Sequence, residues 1–435
     1  MPRLRRRSAF AIGLLAGAFA MLTLVACGAR TSGRAVTTVK TPTTVPSASR
    51  TTRGTAGVAA EATDALALEL LPRIGAPSAN AVFSPYSIQA ALSMVGAGAA
   101  GETARQIAHV LRTGDLAALA AGDAALAGRL AAATAPPRGA PARGVARLQI
   151  ANGLFTQAGL GLRTAFVQTL RGAFGAAPQR VDFHSAPETA RRAINAWVAG
   201  RTGKLITDLM PAGSITTQTA LVLANAIYLR AHWADPFVAG QTAPGPFFTS
   251  AGTRVTAQYM TQPPLQLLYG TGPGYQAMAL AYLDSTLSML VLLPRASTFA
   301  SYQRTLTVPA LTRLQRTLSP RLVALQMPRF HLLGAQSLND LLAALGMPLA
   351  FTDAADFSGI TGQARLKIAQ VEHAADLNVD EAGTVASAAT GIAIAPTAIA
   401  APNQALRLKL DHPFLLFLRD DATGTILFAA RVVDP

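Results

Sequence analysis

The stretch that decides the fold lies near the C-terminus and reads Asp380-Glu381-Ala382-Gly383-Thr384-Val385-Ala386-Ser387-Ala388-Ala389-Thr390. Alternate residues of a β-strand point to opposite faces of the sheet. One face of this segment would carry only small or β-branched side chains, namely Thr384, Ala386, Ala388, Thr390, Ile392 and Ile394. Such a row enters a packed sheet without clash. The stretch therefore predicts a strand, and Gly383 gives its beginning the backbone freedom of a hinge.

The residues that follow predict an exposed loop anchored to a core strand. No charged residue lies between Glu381 and Arg407, although exposed loops are ordinarily more polar. The segment ends in a tract with two prolines, Ala395-Pro396-Thr397-Ala398-Ile399-Ala400-Ala401-Pro402-Asn403. An apolar run then follows, Leu408-Lys409-Leu410-Asp411-His412-Pro413-Phe414-Leu415-Leu416-Phe417-Leu418.

Further blocks accompany this pair in a fixed order, at 80–88, 195–198, 203–206, 219–233, 344–347 and 355–360. Together they resemble the serpins, with 380–390 similar to the reactive-loop hinge and 408–418 similar to the C-terminal signature. The resemblance covers most of the chain. It implies an α+β serpin fold, with a large mixed central sheet, smaller sheets, surrounding helices and an exposed reactive-centre loop.

The pattern of apolar residues independently indicates mixed helices and strands. The chain up to about residue 135 has helical spacing. Later segments read as strands, namely 221–229, 287–293, 323–330, 364–371, 407–419 and 425–433. A turn at 420–424 joins the last two as a hairpin. The absence of βαβ alternation favours α+β over a doubly wound sheet.

The resemblance implies suicide inhibition of a serine protease. The protease would cleave the loop and be held as an acyl-enzyme while the freed hinge enters the central sheet. The hinge residues by resemblance are Glu381, Gly383, Thr384, Ala386, Ala388 and Ala389. Counting about sixteen residues past Glu381 places the reactive bond at Thr397-Ala398, within a residue or two.

The composition of the bait, residues 394–399, narrows the expected protease. It contains no Arg or Lys, which disfavours a trypsin-like partner with an acidic pocket, and no aromatic residue, which disfavours a chymotrypsin-like one. We therefore expect a serine protease with small-residue specificity, of the elastase-like or subtilisin-like kind.

The resemblance also assigns five structural gate residues beneath and at the top of the central sheet, namely Ser84, Ser87, Asn225, Trp233 and His373. The polar ones are expected to form a satisfied buried network, as buried polar groups do. In the family's mechanism this network either stays closed or parts for the incoming strand.

The N-terminus predicts export. Arg3, Arg5, Arg6 and Arg7 precede an apolar run that ends in Leu24-Val25-Ala26-Cys27, which resembles a bacterial lipobox. Residues 1–26 are thus predicted to be a lipoprotein signal peptide, with Cys27 acylated and the chain held at the outer face of the membrane. The Arg6-Arg7 pair leaves general secretory and twin-arginine export both open. Residues 27–58, rich in Thr, Ser, Gly and Ala, predict a disordered tether, and 59–435 the folded domain.

Net charge and cysteine content limit the kinds of partner that we expect for this chain. The net charge of the whole chain is +15; the signal carries +4 and the tether +5, which leaves +6 on the folded part. Without an arginine cluster interleaved with aromatic residues, no nucleic-acid partner is expected. Cys27 is the single cysteine, so no disulfide forms within one chain, and a monomer is expected.

Enzymatic and cofactor-binding functions find little support. Residues 96–101 spell G-x-G-x-x-G, but a helical pattern precedes them where a dinucleotide site requires a strand. The six histidines are scattered without metal-ligand spacing, so neither a metal nor a cofactor is expected. Two alternatives to inhibition remain open: a non-inhibitory serpin that acts as a carrier or folding factor, and a surface structural lipoprotein.

Overall fold

The computed structural model describes residues 54–134, 146–363, 365–384 and 405–435. Within these ranges the α-helices are α1 (Thr55–Leu70), α2 (Pro85–Gly96), α3 (Gly101–Val110), α4 (Leu116–Ala133), α5 (Thr164–Phe174), α6 (Pro187–Arg201), α7 (Phe299–Thr305), α8 (Val308–Thr317) and α9 (Asn339–Ala344). Short 3-10 turns span Ala296–Thr298 and Pro348–Phe351.

The described strands are β1 (Ala81–Phe83), β2 (Arg147–Gln157), β3 (Gln179–Val181), β4 (Leu221–His232), β5 (Ala243–Phe248), β6 (Arg254–Gly272), β7 (Tyr275–Ala281), β8 (Leu287–Pro294), β9 (Ser319–Pro328), β10 (Phe330–Ser337), β11 (Gln370–Val379), β12 (Gly383–Thr384), β13 (Leu406–Lys409), β14 (Phe414–Asp420) and β15 (Ile426–Val432). They form two sheets, and the α+β prediction is confirmed.

The larger sheet runs β1-β15-β14-β8-β7-β6-β9-β13, with β5 paired to β6. Its centre is the β8–β14–β15 group, in which each strand is buried along its whole length. Strands buried on both faces read as continuous apolar runs, which is why the C-terminal segment was recognisable from sequence.

The other sheet has six strands and runs β10-β11-β12-β4-β2-β3. We call it the central sheet, because it contains the hinge strand β12. Its α6 face is lined by small side chains such as Ala224 and Ala374, which pack with Ile194 and Val198 of α6. Its opposite face, the α2 face, packs against α2. Helix α2 begins cleanly, because Ser84 accepts a hydrogen bond from the Ser87 amide at 3.1 Å and Pro85 opens the first turn.

Three predicted strand boundaries were wrong. Of the predicted strand 364–371, the described residues 365–369 are not a strand, because β11 begins at Gln370. The Ile368 and Ala369 amides bond to the carbonyls of Ala350 and Leu221 instead of a ladder. Its buried Leu366 and Ile368 imitate strand alternation.

The predicted strand 407–419 is two strands that lie apart in the larger sheet. Strand β13 pairs with β9, whereas β14 pairs with β8 and β15, and Pro413 lies at the break. Proline cannot donate to a ladder, so it marks such breaks. The predicted strand 323–330 likewise ends at Pro328, after which β10 joins the other sheet.

A buried arginine ties the last strand to the segment between α1 and β1. Arg431 is fully buried and donates to the backbone carbonyls of Leu71, Ile74, Ala76 and Ala79 at 2.7–3.3 Å. Burial lowers the pKa of its guanidinium. The cation is compensated by these hydrogen bonds instead of by an acid, and two of the acceptors, Leu71 and Ile74, belong to buried residues.

We predict that Arg431→Met destabilises the fold by about 3 kcal/mol or more, because four carbonyls, two of them in buried residues, lose their donor at once. The measurement is the urea or thermal unfolding midpoint of the variant. Arg313→Met, on the exposed side of α8, is the matched control and should leave the midpoint within error. Equal midpoints for the two variants would contradict this role of Arg431.

Candidate functional site

The site is a slot in the central sheet between β4 and β11. In its lower part the two strands pair directly and in parallel, from Gln370↔Val222 to Asp376↔Tyr228. We call this pairing the seam. Above the seam the strands part, and β12 lies between them, paired antiparallel with both.

Two predicted hinge residues form this short inserted strand. Gly383 pairs with His232 and Thr384 with Ala231 on one side, and Thr384 pairs with Val379 on the other. Thr384 is 1% exposed, and its hydroxyl lies 2.6 Å from the hydroxyl of Tyr282. The first residues of the hinge therefore already occupy the top of the slot.

Gly383 is fixed by close approach of the neighbouring strand. A Cβ at this position would lie 2.1 Å from the Ala231 carbonyl oxygen and 2.7 Å from the His232 Cα. Its φ of +156° is also a conformation that side chains disfavour. Any other residue would force β12 away from β4.

Backbone and side-chain bonds hold the turn that leads into β12. The Trp233 indole donates to the Asp380 carbonyl at 3.0 Å, and the Trp233 and Phe237 amides donate to the carbonyls of Ala382 and Glu381. The Asp380 carboxylate accepts from the amides of Ala382 and Gly383, as an Asx-type turn does.

The side chains around this turn are equally well partnered. The Glu381 carboxylate accepts a hydrogen bond from Thr242 and lies 3.8 Å from the Arg329 guanidinium. Trp233 stacks on Tyr282 with ring centroids 4.6 Å apart. Burial raises the pKa of Tyr282 above its usual range, so its hydroxyl keeps a proton to share with Thr384.

A buried hydrogen-bond network crosses the seam. His373 on β11 and Asn225 on β4 are register partners, and the His373 Nδ1–H donates to the Asn225 Oδ1. The His373 Nε2 accepts from the Ser84 amide at 3.0 Å, which fixes a neutral tautomer. Burial lowers the pKa of His373 to about 3.

The network continues into β2 and α2. The Asn225 amide donates to the Ser87 carbonyl at 2.8 Å and to the Oδ1 of Asn152 on β2. The Ser87 hydroxyl donates to the same Asn152 oxygen at 3.3 Å. Three strands and one helix are thus tied together at one level of the sheet.

The structure brings four of the predicted gate residues together and places the fifth elsewhere. Ser84, Ser87, Asn225 and His373 form the network, whereas Trp233 lies at the top of the slot with the hinge. Sequence reasoning missed Tyr282 and Asn152; a polar residue within the β2 strand pattern was the signal for Asn152, and Tyr282 offered none. Whether these residues gate the slot stays a prediction.

Several predicted residues lie outside the described residues, namely Cys27, Ala386, Ala388, Ala389, Thr397 and Ala398. The G-x-G-x-x-G match at 96–101 runs from the end of α2 to the start of α3, so a helix and not a strand precedes it. This geometry does not build a dinucleotide site.

Comparisons with known proteins agree with this architecture. The family model for "Serpin (serine protease inhibitor)" matches residues 61–435. A serpin-like protein of Thermococcus kodakarensis is 31% identical over 86% of this chain and 85% of its own length. The leukocyte elastase inhibitor of Bos taurus is 34% identical over 82% of this chain and 94% of its own length.

Solved structures show the same fold. Human thyroxine-binding globulin, solved with its thyroid hormone, superposes with a TM-score of 0.77 at 25% identity and covers 88% of this chain and 100% of its own. Uncleaved ovalbumin gives a TM-score of 0.75 at 26% identity, again covering 88% of this chain and 100% of its own. The fold of this chain is therefore the serpin fold.

The buried neutral His373 predicts a specific loss of stability in acid. An unfolded histidine takes up a proton near its ordinary pKa of 6.5, whereas the folded one resists protonation down to about 3. The contribution of His373 is therefore fully present above pH 6.5 and is lost as the pH falls from there towards 3.

The variant His373→Gln removes this titration and also weakens the network, so it should unfold at a lower temperature than wild type at pH 8. We expect the gap between the two midpoints to narrow steadily between pH 6.5 and 4.5. Thermal unfolding followed by circular dichroism measures both. A gap that stays constant over this range would show that His373 does not titrate as the geometry requires.

Proposed function

The chain belongs to the serpin family, and from this we propose that it inhibits serine proteases by cleavage of its reactive loop, covalent trapping of the protease and insertion of the cleaved loop into the central sheet. The observation that carries the proposal is β12, because the first hinge residues are already paired with both strands of the slot. Continued insertion extends an existing ladder and does not require a new one.

The register of β12 gives the expected positions of the residues that follow. Each further loop residue pairs one position earlier on both β11 and β4, so residue 390, six after Thr384, meets His373 and Asn225, six before Val379 and Ala231. An inserted Thr390 would thus separate the hydrogen bond that crosses the seam. The register of β12 thus connects the hinge residues with the gate residues at the seam.

The same register sets the row of small residues on the α2 face. Ala386 would meet Leu377 and Leu229, and Ala388 would meet Ala375 and Ile227, all of them buried. Small side chains are the ones that such an apolar surface can accept without moving. The row predicted from sequence therefore fits the slot seen in the structure.

The free energy that loop insertion would release is large enough to drive the proposed rearrangement. About ten inserted residues would add on the order of ten ladder bonds at about 1 kcal/mol net each. That is comparable with the whole stability of an ordinary domain, about 5–15 kcal/mol. The uncleaved fold is accordingly proposed to be kinetically trapped.

The proposed target is a protease with small-residue specificity, of the elastase-like or subtilisin-like kind, which would cut at Thr397-Ala398. The uncharged, non-aromatic bait supports this, and the bovine relative carries the name of an elastase inhibitor. We further propose that residues 1–26 direct export, that acylated Cys27 and the tether after it hold a monomeric domain at the outer face of the membrane, and that the chain has no catalytic activity of its own. The folded domain begins before the predicted residue 59, because α1 starts at Thr55 and Ala56 is buried in the core.

The alternative is a non-inhibitory serpin, and thyroxine-binding globulin shows that the fold also carries a ligand. A carrier needs no productive insertion, so nothing in it would require β12 to lie in the slot or the next residues to be small. Both features favour inhibition.

The decisive experiment mixes the domain without residues 1–53, which keeps helix α1 whole, with an elastase-like and a subtilisin-like protease. We expect a complex that survives boiling in SDS, with cleavage mapped by mass spectrometry at or beside Thr397-Ala398. Cleavage without a complex, combined with no rise in the unfolding temperature of the cleaved protein, would support the carrier alternative.

We predict that Thr384→Arg converts the protein from an inhibitor into a substrate. Thr384 is buried against Tyr282, and an unpaired cation there costs several kcal/mol, so insertion slows while cleavage continues. The stoichiometry of inhibition should rise by about tenfold or more, since each 1.4 kcal/mol is a factor of ten. Thr384→Ser keeps the hydroxyl and is the matched control. An unchanged stoichiometry in Thr384→Arg would sink the hinge assignment.

A further inference from the structure

Two acidic side chains lie in the seam that has to open. Glu372 and Asp376 are on the α6 face of β11 and are only 3% and 6% exposed. Their register partners on β4 are Ala224 and Tyr228, within the directly paired part of the slot. Separation of β4 from β11 therefore changes the surroundings of both carboxyl groups.

The groups that face these carboxyls compensate only one of them. From β10, the His331 Nε2 lies 3.1 Å from the Asp376 Oδ1, whereas the register partner of Glu372 is Ser337. Across the seam, Ala224 and Tyr228 face them, with Arg230 further along β4 on the same face as Tyr228.

Helix α6, which packs on this face of the central sheet, brings no cation to Glu372. Helix α6 packs Ala190, Ile194 and Val198 into the cluster that holds Ala224 and Ala374, while the Asn195 side chain bonds to Asp208 and Met210. In the connection from α6 to β4, the Ser214 carbonyl accepts from Gln370. Among the described residues no ion pair involves Glu372, and on the other face of β11 the neighbouring His373 is neutral.

The closed seam consequently favours an uncharged Glu372. Burial raises the pKa of this carboxyl to about 7, and the Ser337 hydroxyl opposes the shift only in part. Burial also raises the pKa of Asp376, but His331 pulls it back. Of the two groups, Glu372 is the one whose charge is least compensated while the strands stay paired.

We propose that a proton on Glu372 helps to hold the seam closed, and that loss of this proton to solvent favours the separation of β4 and β11. The inference rests on the proposed function, because opening of the seam is the step that lets the loop enter. The sign follows from linkage: an opened seam exposes Glu372 to water and restores its ordinary acidity. Opening therefore releases a proton and becomes more favourable as the pH rises through about 7.

The test is hydrogen–deuterium exchange of the uncleaved domain without protease. Peptides covering β11 are followed by mass spectrometry between pH 5.5 and 8.0, with rates corrected for the intrinsic pH dependence of exchange. In wild type the opening constant of the seam should rise by about tenfold or more over this range. In Glu372→Gln, which keeps the shape of the side chain without its charge, it should stay flat.

Asp340→Asn, which neutralises an exposed carboxyl on α9, is the matched control and should keep the wild-type pH dependence. A flat wild-type profile would overturn the proposal, as would a Glu372→Gln variant that retains the wild-type dependence or an Asp376→Asn variant that alone abolishes it. If Glu372→Gln does not fold, Glu372→Leu carries the same expectation.

The exchange measurement is independent of protease trapping, so the two proposals fail separately. A pH-dependent seam in a domain that forms no SDS-stable complex would support the role of Glu372 and contradict inhibition. A stable complex formed by a domain whose seam has a pH-independent opening constant would support inhibition and contradict the role of Glu372.

Discussion

The hydrogen bond between His373 and Asn225 is the constraint on which the rest of the central sheet depends, because it crosses the direct pairing of β4 with β11. It is buried, neutral and continuous with the bonds that Ser84, Ser87 and Asn152 supply. A fully satisfied polar network of this kind is stable while closed and costly when half broken. In the proposed mechanism this network would keep the sheet shut until the cleaved loop enters.

The slot is asymmetric, and the asymmetry would give the proposed insertion a direction. At the top, β12 pairs antiparallel with both neighbours, whereas at the seam β4 and β11 pair in parallel with each other. Each residue that enters would exchange one parallel pairing for two antiparallel ones, and antiparallel pairing is slightly more stable per residue. Opening can therefore proceed by small steps from the top, because each step supplies new ladder bonds close to those it breaks.

The hinge could be predicted from the sequence because the signals that indicate it are local. The alternating small side chains and Gly383 follow from strand periodicity and from what a close backbone approach tolerates, and the family resemblance then supplied the gate. The stacking of Trp233 on Tyr282 could not be predicted, since an isolated bridge brings the two residues together across a long stretch of chain. Strand β11 was misplaced for a related reason: the polar Glu372 and Asp376 interrupt its apolar pattern, while the irregular segment before it imitates one.

Arg431 and Glu372 show how differently one fold can treat a buried ionisable group. The Arg431 guanidinium donates hydrogen bonds to four backbone carbonyls, and these bonds compensate its charge. The same bonds tie β15 to the segment between α1 and β1, away from the slot. Glu372 has no cationic partner among the described residues and lies where two strands meet only while the slot is closed. A group that is poorly solvated in one state and free to reach water in the other must couple its proton to the change between them. The lack of a cationic partner is thus what distinguishes Glu372 from Asp376, which is buried at the same seam but lies 3.1 Å from the His331 imidazole.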